Sequence, residues 1–236
     1  ELAVIEPRDC AALRALHEDC FPVRYNERFY ADVSQRSYLG RPLITQVARW
    51  TQQLPGPPAL DKPAGKRSRD PDPWLEDGAA PRDTDVNELA GGITAQVRLL
   101  DPQDPEQPHL TAASVKAGFT RGCYILTLAT NQAHRRCGIG SNLLRYVIDL
   151  AAQDPECGVV YLHVITYNDS AIRFYERHGF KRVTRVYNFY KIQNEFYDSF
   201  LYALVLGAAE LAPVSPSFWG SLIESVSAFF GKLFPF

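Results

Sequence analysis

Apolar positions along the chain change period several times, and each change predicts an element. Leu13, Leu16 and Cys20 recur at helical spacing behind Asp9, a residue able to cap a helix, and Phe21-Pro22 breaks the run. Asn26 is placed to cap a second short helix that turns Phe29, Tyr30 and Val33 inward. "LITQVARW" (43–50) alternates with a period of two and reads as a strand; "LAGGITAQVRLL" (89–100) does so again, with a glycine bulge. "YILTLAT" (124–130) reads as a buried strand, after which Ile139, Leu143, Leu144, Val147, Ile148 and Ala151 line one face of a helix. "GVVYLHVI" (158–165) is nearly unbroken in apolar character, as a strand covered on both faces would be. "NDSAIRFYERHGF" predicts a capped helix of about three turns ending at Gly179. Two aromatic-rich strands follow, around 181–187 and 198–206, linked by "NFYKIQNEFY". The order is two helices, an antiparallel meander, then β-α-β-α-β-β, which defines an α/β class with one core and a mixed sheet.

Three stretches fall outside that pattern. Residues 51–87 include "PGPPALDKPAGKRSRDPDP", too rich in Pro, Gly and charge to bury a core, so a mobile insertion is expected there. A second Pro-rich loop is expected at 101–118. The main domain then spans 1–206, leaving 207–236 as a separate tail that contains "SFWGSLIESVSAFFGKLFPF". Phe218, Trp219, Leu222, Ile223, Val226, Phe229, Phe230, Leu233 and Phe234 form one apolar stripe at helical spacing, with Ser217, Ser221, Glu224, Ser225, Ser227 and Lys232 opposite. Serines, Glu224 and Lys232 interrupt the run, which argues against a transmembrane span. An amphipathic helix lying in a membrane surface is expected, its weakly charged, Ser-rich polar face resembling a lipid-packing sensor; a helix packed on the domain or on a second copy is the alternative.

Composition narrows the classes. A net charge of −2 lacks the basic excess of a nucleic-acid binder. The five cysteines are scattered without a C-x-x-C pair, so neither a disulfide framework nor a metal site is expected, and a reducing compartment fits better. No secretory signal is visible. The sequence starts at Glu1 and contains no methionine, so the natural start and any targeting segment before it cannot be read.

Chemistry concentrates at "RRCGIGSNLL" (135–144), a Gly-x-Gly turn between a strand and a helix start. Unpaired N–H groups and the positive dipole end make a helix N-terminus an anion site, and glycine lets the main chain approach a phosphate. Arg135, Gly138 and Gly140 fit the acetyl-CoA signature R/Q-x-x-G-x-G/A, and "NDSAIRFYERHGF" fits the pattern N-x-x-A-x-x-x-Y-x-x-x-G-F, both resembling the GNAT acetyltransferases. "FPVRYNERFY", "YILTLAT", "YLHV" and the late tyrosine cluster resemble protein N-terminal acetyltransferases that accept Met-initiated peptides. "FPV-YN--FY" is similar to the NatE catalytic subunit. "YILTL", "VYLHV", the long final strand and the apolar tail are similar to the membrane-associated NatF type, and Arg24 to its plant or algal versions. The likeness covers Val4 to about Leu206 outside the Pro-rich loops.

That resemblance implies a GNAT fold, acetyl-CoA as cofactor, and peptide or protein N-termini as partners, with no nucleic acid and no metal. It implies a peripheral location on the cytosolic face of the Golgi or plasma membrane, as monomer or homodimer. Acetyl-CoA is expected on Leu128, Ala129 and Thr130, then on Arg135, Arg136, Cys137, Gly138, Ile139, Gly140 and Ser141, then on Asn168 and Tyr175. The carbonyl oxygen would be met by a backbone N–H of the bulged strand end, Leu128 to Thr130. Asn168 could serve the cofactor amide or cap its helix; Tyr175 could protonate the leaving thiolate or pack. Cys137 has no partner base and reads as a spacer. The peptide is expected between Phe21, Arg24, Tyr25 and Leu126 on one side and Phe189 and Tyr190 on the other. Animal NatF enzymes carry Glu where Arg24 stands, so a cation here weakens attraction for lysine at the second substrate position; Asn188 is a further departure.

Transfer to an α-amine, pKa about 7.7–8.0, asks only for mild base help. Tyr124 and His163 are the candidate bases, His with a suitable pKa unaided, Tyr by relay; the competing explanation is core packing. The alternatives are a soluble NatE-like subunit or lysine/histone acetyltransferase, and a non-catalytic acetyl-CoA-binding scaffold.

Overall fold

The computed structural model describes residues 1–53, 85–101, 110 and 118–206. Most of the expected insertion, most of the second Pro-rich loop and the whole tail lie outside those residues. A short strand β1 (Leu2–Val4) precedes helices α1 (Cys10–Cys20) and α2 (Glu27–Ser34), a small pair β2 (Ser37–Tyr38) and β3 (Arg41–Pro42), and the long strands β4 (Ile44–Gln53) and β5 (Asp85–Leu99). Then follow β6 (Arg121–Thr130), α3 (Ile139–Ala152), β7 (Cys157–Ile165), α4 (Asp169–Arg177), β8 (Lys181–Ile192) and β9 (Glu195–Val205). The main sheet has the order β1-β4-β5-β6-β7-β9-β8. β6 and β7 run parallel, while the other neighbours run antiparallel.

Alternation along the strands divides the core between the two faces. α3 buries Leu143, Leu144, Val147 and Ala151 against Ile93, Ile125, Val160 and Leu162, and α4 adds Tyr175 to the same cluster. α1 and α2 bury Leu13, Leu16, Phe29 and Val33 against Val47, Leu89 and Ala129. Each Leu, Ile, Val or Phe among them contributes roughly 1.5–3 kcal/mol by burial, enough to fix which helix covers which face. β7 is buried at all nine positions, as its unbroken apolar run requires. The glycine bulge also appears: register slips opposite Ala48/Arg49, leaving Ala90 unopposed beside Gly91. A Cβ on Gly91 would lie 2.8 Å from Ile139 Cγ2, so the missing side chain lets the first turn of α3 seat against the sheet.

Three expectations change. Asp9 does not cap α1; its carboxylate accepts Glu6 N–H at 2.8 Å and Arg49 Nη2 at 2.7 Å, tying the start of the chain to β4. Strands extend into both ends of the expected insertion, β4 to Gln53 and β5 from Asp85. "NFYKIQNEFY" is no linker but a continuation of the hairpin, closed at Gln193 and Asn194, whose φ values of 49° and 67° match a tight two-residue turn. Asn188 hid this: its left-handed φ of 53° lies within a register slip between Val186 and Tyr190, and alternation breaks there.

Candidate active site

Pairing between β6 and β7 runs from Arg121↔Cys157 to Tyr124↔Tyr161 and then stops. β6 continues along β5 to Thr130, whereas β7 continues along β9 to Ile165. The strands therefore part beyond Tyr124, and on that side Ile125 to Thr130 have no strand partner. β6 also carries a bulge: Thr127 opposes Thr94 and Ile125 opposes Ala95, so Leu126 is the extra residue. The irregularity thus falls earlier than the Leu128–Thr130 end expected from the sequence.

A cleft of about 950 Å³ opens where the strands part. Its floor is the turn before α3, with Arg136 at φ 68° and Gly138 at φ 79°, both left-handed. The N–H groups of the first helical turn have no acceptor within the helix, and Arg135, Arg136, Arg173 and Arg177 line the same cleft. Unpaired donors plus four guanidinium groups match a polyphosphate, and the gap between the strands matches a long thin arm. Of the expected cofactor residues, Leu128, Ala129, Thr130, Arg135, Arg136, Gly138, Ile139, Gly140, Ser141, Asn168 and Tyr175 line the cleft. Cys137 does not; its exposed thiol reaches the Arg135 carbonyl at 3.7 Å, consistent with a spacer. Asn168 does cap its helix, accepting from Ala171 N–H at 3.1 Å, and still lines the cleft. The sequence reading missed Ser170, Arg173, Phe174 and Arg177, which recur three to four residues apart behind that cap and form the face of α4 turned to the cleft.

A second pocket of about 130 Å³ shares Cys20, Phe21, Leu128, Asn168, Ala171 and Tyr175 with the cleft and extends to His163. Phe21, Tyr25, Leu126 and Tyr190 line it as expected. Arg24 does not: it is exposed and outside the lining, because the loop after Pro22 turns Val23 and Tyr25 inward and Arg24 out. Phe189 is no lip residue either. It is buried and stacks on the His163 ring, with centroids 3.9 Å apart, forming the wall behind it. Tyr190 donates its hydroxyl to the His163 carbonyl at 3.1 Å, pinning the β8–β9 hairpin beside β7.

His163 and Tyr124 do meet, Nδ1 to hydroxyl at 3.3 Å. Tyr124 itself is not in the pocket lining and reaches the site through this contact. His163 Nε2 is buried with no hydrogen-bond partner among the described residues. Burial, aided by the charge of Arg98, pushes the His163 pKa from 6.5 down to about 3. The expectation of a suitable pKa unaided is therefore corrected: the imidazole is neutral throughout the physiological range and holds a proton poorly. Burial pushes the Tyr175 phenol up, so it stays protonated where the two pockets join.

Splayed parallel strands above a left-handed, cation-ringed turn define an acetyltransferase of the GNAT architecture. The model of the acetyltransferase (GNAT) family matches residues 10–180. Histone acetyltransferase MCC1 of Arabidopsis thaliana is 30% identical over 212 residues, covering 90% of this chain and 72% of that protein. N-alpha-acetyltransferase 60 of Xenopus tropicalis is 33% identical over 145 residues, covering 58% of this chain and 59% of that protein. The crystal structure of Arabidopsis thaliana NAA60 in complex with acetyl-CoA superposes with a TM-score of 0.63 at 30% identity, covering 87% of this chain and 97% of that one. The chain belongs to the GNAT acetyltransferase family, and its cofactor is acetyl-CoA. Within that family it stands with the N-alpha-acetyltransferases of the NatF type.

Proposed function

We propose that the protein transfers the acetyl group of acetyl-CoA to the α-amine of Met-starting (Met-Xaa) N-termini at the cytosolic face of a membrane. The observation that carries this is the junction of two cavities, one built for phosphates and one a small, largely apolar pocket ending at His163. At 130 Å³ the inner pocket is close to the ~150 Å³ of a cavity that admits benzene, a size suited to one unbranched thioether side chain. The amine attacks the thioester carbonyl directly, the C–N bond forming as the C–S bond breaks, with no acyl-enzyme. The amine proton passes to His163 Nε2 as the Nδ1 proton moves to the Tyr124 oxygen and the phenol's own proton leaves to solvent, so His163 is neutral before and after the relay. Tyr175, kept protonated by burial, donates a hydrogen bond to the departing thiolate. The main chain of the bulged β6, without a strand partner on its β7 side beyond Tyr124, supplies N–H groups for the carbonyl oxygen as it gains charge.

A lysine acceptor is the competing substrate, and one relative is named a histone acetyltransferase. Against it stands the hairpin pinned at Tyr190, which narrows the approach to His163 for a side chain carried mid-chain. A panel of Met-Xaa peptides, each with a free or blocked α-amine and with or without an internal lysine, separates the two. Turnover is expected with free α-amines only; acetylation of lysine in N-blocked peptides at a comparable rate would sink the assignment.

The membrane location rests on the tail. Among the described residues no helix is long and apolar enough to cross a membrane. The 217–234 stripe instead fits shallow insertion, with little basic charge to attract anionic lipid. Cutting the chain after Leu211 is expected to release from liposomes a protein that still acetylates peptides, and Phe229→Asp with Phe230→Asp to do the same at full length. Binding should favour small, loosely packed vesicles and barely respond to salt. Variants that stay on liposomes, or an intact tail that ignores them, overturn the membrane assignment; loss of folding or of a dimer on truncation assigns the helix to internal packing.

A further inference from the structure

One cation stands against the proton-accepting pair without belonging to either cavity. Gln96 on β5 pairs with Tyr124 on β6, so Arg98, two residues on, shares the Tyr124 face. Its guanidinium carbon lies 4.5 Å from the centroid of the Tyr124 ring. The Arg98 Nε donates to Gln96 Oε1 at 3.1 Å, and the buried Gln96 donates through Nε2 to the carbonyls of Tyr38 at 2.8 Å and Arg41 at 3.3 Å. The guanidinium is thus held from behind by a fixed amide. Among the described residues Arg98 makes no ion pair that would neutralise it.

We propose that Arg98 is a positioning residue for acetyl transfer, its cation seated on the Tyr124 ring to hold the phenol against His163 and to favour negative charge on the Tyr124 oxygen as the phenol's own proton leaves to solvent in the relay. This rests on the assignment of Tyr124 and His163 to the amine proton. A cation over an aromatic face is attracted to the ring's electron density, more strongly as the ring gains negative character. The same charge opposes a second positive charge nearby, and Arg98 accordingly adds to burial in lowering the basicity of His163. The pair is biased: His163 passes a proton on without retaining a second one, whereas anionic character on Tyr124 is stabilised as its own proton leaves. Arg98 touches no reacting atom and acts through the phenol.

The test is steady-state kinetics on the full chain with a Met-starting peptide. Arg98→Gln is expected to lower kcat by about tenfold, the scale of one half-buried cation–π contact, while KM for acetyl-CoA and peptide stays within about twofold. Arg98→Lys, which keeps a cation over the ring, should recover kcat to within about threefold of wild type. Adding Arg98→Gln to Tyr124→Phe should cost nothing further, because the group it acts through is gone. Should Arg98→Gln fail to fold, Arg98→Met keeps the packing of the stem and carries the same expectation. Wild-type kcat in Arg98→Gln beside an impaired Tyr124→Phe overturns the role of Arg98 alone. So does a loss additive with Tyr124→Phe, or one confined to KM. Wild-type turnover in Tyr124→Phe and His163→Ala overturns the underlying assignment as well.

Discussion

His163→Ala and Tyr124→Phe are each expected to lower kcat by about 10²-fold or more, the range of general-base losses, with acetyl-CoA affinity nearly unchanged. The two groups form one hydrogen-bonded unit at 3.3 Å, so the double variant should be little worse than the poorer single one. The pH profile supplies a second check. The His163 pKa is depressed to about 3, so protonating it takes no activity away anywhere between pH 5 and 8. Within that window activity should rise with pH as the substrate α-amine, pKa about 7.7–8.0, loses its proton. A limb that moves with the peptide's amine pKa supports this; one fixed near 6.5 whatever the peptide would mean that a solvated imidazole controls the rate. Retained wild-type turnover in both single variants returns the two residues to core packing.

What the sequence made legible follows from range. Elements set by local periodicity appear where expected: the α3 face, the two-sided burial of β7, the Asn26 and Asn168 caps, and Gly179 with its φ of 85°. The misses come from contacts between residues far apart in the chain. Asp9 has the composition of a cap, but Arg49, forty residues away, claims its carboxylate. His163 has the ordinary imidazole pKa in a peptide, and only the packing of Phe189 and the strands around it removes the water that supports the charge. The importance of Arg98 lies in a cross-strand register, and no local pattern shows that it stands over Tyr124. Arg24 belongs to the motif that lines the cleft, but the direction of its side chain depends on how the chain turns after Pro22. The cofactor turn was legible because its chemistry is contiguous, six residues supplying the left-handed backbone, the helix start and two of the four cations.

That turn also carries the largest expected loss of binding. Gly138→Asp and Gly140→Asp should each weaken acetyl-CoA by at least about 10²-fold, roughly 2.7 kcal/mol, in isothermal calorimetry while the fold persists. Crowding within the protein is not the cause. A Cβ at Gly138 meets nothing within 4 Å, and one at Gly140 meets Thr130 Oγ1 at 3.4 Å and Phe174 at 3.5 Å, ordinary contacts. Gly138 is constrained instead by its φ of 79°, a left-handed conformation that aspartate adopts at a cost of about 1–2 kcal/mol. Gly140 lies in the first turn of α3, where a carboxylate is favourable to the helix by about 0.3–1 kcal/mol. The melting temperature should therefore fall modestly for the first variant and hold or rise for the second. In both, the new carboxylate satisfies the N–H groups that would receive the pyrophosphate and repels it besides. Gly140→Ala separates charge from bulk: its added methyl has room, so affinity should stay within about threefold of wild type. If Gly140→Ala loses as much as Gly140→Asp, the ligand packs against the turn so closely that size alone excludes it. If neither aspartate variant loses affinity, the phosphates are held elsewhere, and the guanidinium groups of Arg173 and Arg177 on α4 become the place to look.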